Sequence, residues 1–140
     1  EEKYSLNISP YIGYNSTKSS LATSIDNNYF SFGTRGEATY RLPWKMEIGT
    51  DINADLRQRI NAFSTNTNLV LWNASLWKKI FKKDAGKITF VVNDILDDNK
   101  GFTRIINSTF ISDDRFQRIR RYFLLKFEWS FNKMPGGETK

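Results

Sequence analysis

Apolar and polar side chains alternate at every second position along most of this chain, which is the period of a β-strand with two different faces. Six segments show the alternation, and no segment shows a convincing helical period of 3.6 residues. Their apolar positions are Tyr4, Leu6, Ile8, Ile12 and Tyr14; Phe30, Phe32, Ala38, Tyr40 and Leu42; Met46, Ile48, Ile52, Ala54 and Leu56; Val70, Trp72, Ala74, Leu76 and Ile80; Ile88, Phe90 and Val92; and Phe123, Leu125, Phe127, Trp129 and Phe131. The pattern predicts an all-β chain.

The connections between these segments alternate between long and short, and the two short ones predict the pairing. Opposed residues of an antiparallel pair lie on the same face, so each short loop must hold an odd number of residues. A three-residue loop, "PWK", predicts that Leu42 lies opposite Met46. A five-residue loop, "KKDAG", predicts that Ile80 lies opposite Ile88. An up-and-down meander of about six to eight strands follows, because 94–118 leaves a further hairpin and a short helical turn both open.

Many of the polar positions that alternate with the apolar ones carry charged residues. A soluble sheet buries its apolar face, whereas a membrane barrel turns that face to lipid and the polar one to its lumen. Long strands and a mixed-sign polar face favour the membrane barrel, since the second and third segments exceed the ~9–11 residues that cross a bilayer. The residues predicted to line the lumen are Arg35, Glu37, Arg41, Glu47, Asp51, Asp55, Arg57, Arg59, Lys126 and Glu128.

Aromatic residues gather near the short turns and the end of the last segment, as an interfacial girdle requires. The predicted girdle consists of Tyr40, Trp44, Trp77, Phe81, Trp129 and Phe131. Short turns of such barrels face the periplasm, so both ends of the chain are expected on that side. Six strands are too few for a bacterial barrel, which starts at ~8, so the chain is predicted to be part of a larger wall.

The composition excludes several kinds of chemistry. There is no cysteine and no histidine, so thiol or Ser-His-Asp nucleophiles and thiolate or imidazole metal sites are impossible. The block "DILDDNKG" lacks the spacing of a calcium loop. The net charge of +6 is scattered rather than clustered, so nucleic acid is not an expected partner. We predict no enzyme activity, no cofactor and no metal. Because the chain begins at Glu1, either a signal has been removed or the chain is a piece of a longer protein.

The second half of the chain carries a family resemblance. The segments "LWNASLWKKIF", "NDILDDNKG", "RRYFLL" and "FNKMPGG" together resemble the C-terminal end of the Bacteroidetes outer-membrane β-barrel family, relatives of TonB-dependent receptors. The resemblance implies an end-piece of the barrel over 1–132, a periplasmic tail over 133–140, and a role in solute uptake through the outer membrane. It also implies a plug and further strands that 140 residues cannot hold.

The resemblance gives the last segment a second purpose. Such barrels end with an aromatic strand that the barrel-assembly machinery reads, and the matching positions are Phe123, Leu125, Phe127, Trp129 and Phe131. Expected partners are outer-membrane lipid, that machinery, and a surface lipoprotein and TonB through parts outside this sequence. Two alternatives remain open: a small self-contained outer-membrane barrel acting as a structural protein or pore, and a soluble β-barrel that binds a ligand or nucleic acid.

Overall fold

The fold consists of β-strands joined by turns. The computed structural model describes residues 3–18, 27–59, 67–106 and 110–130. The strands are β1 (Tyr4–Thr17), β2 (Asn27–Leu42), β3 (Met46–Arg57), β4 (Leu69–Ile80), β5 (Gly86–Asn93), β6 (Phe102–Ile106), β7 (Ile111–Arg115) and β8 (Tyr122–Trp129). A 3-10 turn, Lys82–Asp84, precedes β5. Within the described ranges, no helix has the length and apolarity to cross a membrane.

Six strands form one antiparallel sheet in the order β1-β2-β3-β4-β5-β8, which confirms the predicted all-β, up-and-down architecture. The excursion between β5 and β8 contains a hairpin of its own, in which β6 pairs with β7 as a separate two-stranded sheet. The six-stranded sheet is not closed, and β1 and β8 are its edges. Pro10 lies in β1, where an edge strand tolerates its missing N–H.

The first short turn has the predicted register. Leu42 lies opposite Met46 and Arg41 opposite Glu47, with 3.5 Å between Arg41 Nε and Glu47 Oε2. Trp44 and Lys45 both have positive φ, 62° and 59°, so two consecutive left-handed residues reverse the chain. Because the parity is right, the apolar residues of β2 and β3 share one face.

The second short turn corrects a prediction by two residues. Ile80 lies opposite Gly86 and not opposite Ile88, which instead pairs with Lys78. The loop therefore runs over 81–85, because Phe81 leaves the strand with a φ of 68°. Its ring then covers Gly86, where an added Cβ would lie 2.5 Å from the ring, so a larger residue here would force the Phe81 and Ile80 side chains to move. Because the register differs from the predicted one by an even number of residues, the apolar side chains of β4 and β5 still share one face.

The register divides the sheet into two faces, which we name the apolar face and the charged face. On β1 to β5 the apolar face carries the even-numbered residues, and on β8 it carries the odd-numbered ones. One cross-strand row illustrates it: Tyr4, Tyr40, Ile48, Leu76, Phe90 and Leu125 lie side by side across all six strands. The charged face carries the opposite parity.

The apolar face is exposed rather than packed into a core. In the described part of the chain Ala54 is the one buried apolar residue, at 8% exposure, whereas Ile12 is 76% and Leu125 72% exposed. A soluble monomer rarely exposes a continuous apolar surface of this extent. This face needs an apolar environment outside the chain.

Candidate functional site

The charged face is the candidate functional site, and the structure gathers most of the predicted lumen residues on it. Those that share this face are Arg35, Glu37, Arg41, Glu47, Asp51, Asp55, Arg57, Lys126 and Glu128. Arg59 lies beyond the end of β3, in an exposed segment that continues from the strand. The alternation in the sequence predicts the face of each of these side chains correctly, because successive residues of a regular strand point to opposite faces.

Two acidic side chains face each other in the middle of the charged face. Glu37 lies directly opposite Asp51, with Asn7 beside Glu37 and Asn73 beside Asp51. The Asn73 amide donates a hydrogen bond to Asp51 Oδ2 at 2.7 Å. Opposed like charges destabilise an antiparallel pair unless water screens them, so this level of the sheet suits a hydrated space.

Towards the long connections, a tyrosine crosses β2 to reach an acid. Tyr11, Gly33 and Asp55 lie in one row, and the Tyr11 hydroxyl donates a hydrogen bond to Asp55. Gly33 makes this reach possible, because a Cβ there would collide with the Tyr11 ring. Beside this row the Arg57 guanidinium lies 5.0 Å from the centre of the Tyr29 ring. The four side chains border a polar hollow of about 270 Å³.

Towards the short turns the charged face becomes basic and aromatic. Lys87 Nζ lies 4.9 Å from the centre of the Trp77 ring and 3.8 Å from Glu128 Oε2. Lys126 Nζ reaches the other oxygen of Glu128 at 2.9 Å, and Lys79 lies 6.0 Å from the Trp77 ring. Sequence reasoning missed Lys79 and Lys87, although their odd numbers on β4 and β5 carry the signal.

Trp77 departs from the predicted girdle. It lies opposite Glu47 and Thr89 on the charged face, whereas a girdle residue must lie on the face that meets lipid. The apolar positions of β4 are even-numbered, so the parity of the segment already opposed this assignment. Trp77 is instead an aromatic side chain among lysines on the charged face.

The other described girdle residues gather at the short-turn end. Tyr40 and Trp129 lie on the apolar face, and Trp44 is 79% exposed in the first turn. Phe81 packs against that face, with its ring centre 5.7 Å from Trp129 and 6.4 Å from Phe127. Phe131 lies outside the described residues, as do the tail 133–140 and its predicted boundary.

An ion pair links the two short turns. Lys45 Nζ lies 2.6 Å from Asp84 Oδ1, and Lys79 Nζ lies 4.0 Å from the other oxygen. The hydrogen bond from Lys45 lowers the pKa of the Asp84 carboxyl below its ordinary value, and the charge of Lys79 adds to this. The sequence does not reveal this contact, because 39 positions separate the two residues.

The block "DILDDNK" forms a closed hydrogen-bonded turn at the opposite end of the sheet. Asp94, 5% exposed, accepts hydrogen bonds from the backbone N–H groups of Asp98 and Asn99, each at 3.0 Å. Its own N–H donates to Asn73 Oδ1 at 2.9 Å, so Asn73 joins this turn to Asp51. Within the described residues, no cluster of three or more acidic, His or Cys side chains could hold a metal ion.

The hairpin β6–β7 adds a separate polar element. Arg104 Nε and Nη2 bind the two oxygens of Asp113 at 2.5 and 2.7 Å, a bidentate pair. The hydrogen bonds from Arg104 lower the pKa of the Asp113 carboxyl. Arg104 and Arg115 also lie 5.2 and 5.8 Å from the centre of the Phe102 ring.

A long-stranded antiparallel sheet with one exposed apolar face and one charged face is the architecture of a transmembrane β-barrel wall. The family model of the outer membrane protein beta-barrel family matches residues 2–129, which is nearly the whole chain. The chain therefore belongs to that family, and its location is the bacterial outer membrane. No curated protein and no solved structure matches the chain. The outer-membrane location sets aside the soluble alternative.

Proposed function

We propose that the chain is the C-terminal part of the wall of a TonB-dependent-receptor-like barrel of the Bacteroidetes type, through whose lumen a solute is taken up. The observation that carries this proposal is the charged face: six strands turn acids, arginines, lysines and amides to one side. Such a surface is useful only in contact with water, and a barrel encloses water on that side. The charged residues would then set the solute preference, without enzyme activity or a cofactor.

The two edges support a larger barrel. Arg41 N–H donates to Lys3 O at 2.8 Å, so the odd residues of β1 bond to β2 and the even ones leave their backbone groups at the open edge. Ser130 N–H donates to Ala85 O at 2.8 Å, so the even residues of β8 bond to β5. The odd residues of β8 leave their backbone groups at the other open edge. At both edges the free backbone groups therefore belong to residues of the apolar face. A strand that pairs with such an edge uses its own apolar-face residues and leaves the backbone groups of its charged-face residues free. An even number of further strands is needed before the two edges match again and the sheet can close. With ~8 strands as the bacterial minimum, at least two are needed.

The last strand supports the proposed recognition by the barrel-assembly machinery. Phe123, Leu125, Phe127 and Trp129 stand in one line on the apolar face, and each is more than half exposed. A machine that captures the strand before the barrel closes could read this line of side chains together with the free backbone edge. A surface lipoprotein and TonB are further proposed partners through parts of the protein outside this sequence.

Solute uptake is tested on the full-length protein in cells. Expressing cells and cells that lack the protein are compared for short-time accumulation of medium components by mass spectrometry, with and without an uncoupler. A receptor-like protein accumulates one or more solutes, and the uncoupler abolishes this. A self-contained pore, the second candidate, gives accumulation that the uncoupler leaves unchanged. Equal solute content in all cells contradicts both.

A further inference from the structure

A groove interrupts the apolar face along β2. Its floor consists of the small residues Thr34, Gly36 and Ala38, which follow one another at every second position. Bulky Phe32 and Tyr40 stand at the next apolar positions beyond each end. At ~3.3 Å per residue, the floor from 34 to 38 is about 13 Å long. The groove thus runs along the strand direction, across the membrane, for part of its thickness.

Neighbouring strands supply the two walls. Leu6 and Ile8 of β1 form one wall, and Ile52 of β3 together with Trp72 of β4 forms the other. Ile8, Gly36, Ile52 and Trp72 lie in one row, so the missing side chain at Gly36 opens the space between its neighbours. A Cβ there would already lie 3.1 Å from Ile52 Cγ2. The groove encloses about 230 Å³.

The polar groups around the groove are closed to a ligand. The Trp72 indole N–H donates to Thr50 Oγ1 at 2.8 Å, and the Thr50 hydroxyl donates to the Asn73 carbonyl oxygen at 2.9 Å. The Thr34 hydroxyl oxygen is buried in the floor. The surface that this groove offers to an occupant is therefore almost entirely apolar.

We propose that this groove is a lipid site that holds one acyl chain of an outer-membrane lipid. The occupant follows from three features together: the groove is continuous with the lipid-facing surface, it runs along the strands as the chains of a bilayer do, and its walls are apolar. A rough lipid-facing surface leaves a void unless a flexible chain fills it, and dispersion contacts favour filling. A chain held between two walls exchanges more slowly with bulk lipid than one on a flat face.

Trp72 is a built-in reporter of the groove. The full-length protein, with Trp44, Trp77, Trp129 and every tryptophan outside this sequence changed to Phe, is solubilised in detergent and titrated with phosphatidylcholine that carries brominated acyl chains, which quench tryptophan on contact. We expect quenching of Trp72 that saturates near one lipid per protein. Ala38→Phe fills the floor and removes the saturable phase, and Leu6→Ala, which lowers a wall, weakens it.

A control at the same membrane level separates groove filling from added bulk. Val92→Phe lies in the cross-strand row of Ala38 but outside the groove, so it keeps the saturable phase. Heat-modifiable gel mobility verifies that each variant is folded. Quenching that rises linearly and equally in all variants means contact with bulk lipid only and overturns the proposal. A dimer that Ala38→Phe dissociates overturns it as well, because a second copy would then occupy the groove.

Discussion

Gly33 is the residue on which the crossing of Tyr11 to Asp55 depends. A Cβ at this position would collide with both the Tyr11 ring and the Ala54 carbonyl oxygen. We expect Gly33→Ala to destabilise the folded protein by about 1–3 kcal/mol, the usual cost of overpacking. The midpoint of urea unfolding in lipid vesicles measures this. Gly49→Ala is the control, since its Cβ would meet only the movable Ser75 hydroxyl; an equal loss in both variants contradicts the account.

Two threonines of the apolar face are expected to respond differently to the same substitution. The Thr34 hydroxyl oxygen is buried without a hydrogen-bond partner in the described part of the chain, whereas that of Thr50 accepts from Trp72 and donates to Asn73. Thr34→Val should therefore be neutral or stabilising. Thr50→Val should cost about 1–3 kcal/mol by leaving the indole N–H unpaired in lipid. Urea unfolding measures the stability of the two variants. A clear loss of stability in Thr34→Val would contradict the prediction.

At the scale of elements, the Lys45–Asp84 ion pair joins the turn after β2 to the turn after β4 and responds to acid. Because the folded pKa of Asp84 is lowered, its stabilisation is fully present above the ordinary carboxyl pKa of ~3.9 and is lost as the pH falls through the lower, folded value. Asp84→Asn should thus be less stable than the parent at neutral pH, and the difference should vanish in acid. Unfolding curves from neutral pH to well below the ordinary carboxyl pKa measure it, and a difference that grows in acid contradicts the sign.

The aromatic line of β8 gives a prediction for assembly. Phe127→Ala should slow insertion that depends on the barrel-assembly machinery, while leaving spontaneous folding in detergent close to that of the parent. Phe90→Ala removes a ring from the same face in β5, opposite Leu125, and should not slow the machinery. Insertion into vesicles with and without the purified machinery measures both rates. If the machinery inserts both variants equally slowly, the aromatic line of β8 has no special role in assembly.

Most of the strands could be predicted from sequence because each one keeps most of its large apolar side chains at every second position, and the register at the first turn followed from parity alone. The register at the second turn could not, because Phe81 takes a left-handed conformation that no local pattern announces. The hairpin β6–β7 was left open as an alternative, since its strands have only five residues each, FTRII and ISDDR, which is too short to establish an alternation.

The candidate site followed the same rule. Side chains on regular strands, such as Glu37 and Asp51, were placed by counting. Trp77 was misplaced because its nearness to a turn was given more weight than its parity. Contacts between distant residues, such as Lys45 with Asp84 and Tyr11 with Asp55, depend on the assembled sheet and leave no trace in a single sequence.

At the scale of the whole molecule, the central claim is that even-numbered residues of β2 and β3 face lipid and odd-numbered ones face water. These 140 residues contain no cysteine, so once any cysteine elsewhere in the full-length protein is replaced by serine, single-cysteine variants can be labelled without background. Cysteines replace Glu37, Ala38, Thr50 and Asp51, which occupy neighbouring positions on opposite faces. The full-length protein in lipid vesicles is treated with a water-soluble, membrane-impermeant thiol reagent, and labelling is read by mass spectrometry. We predict labelling at 37 and 51 and protection at 38 and 50; the reverse pattern, or equal labelling at all four, would contradict the account.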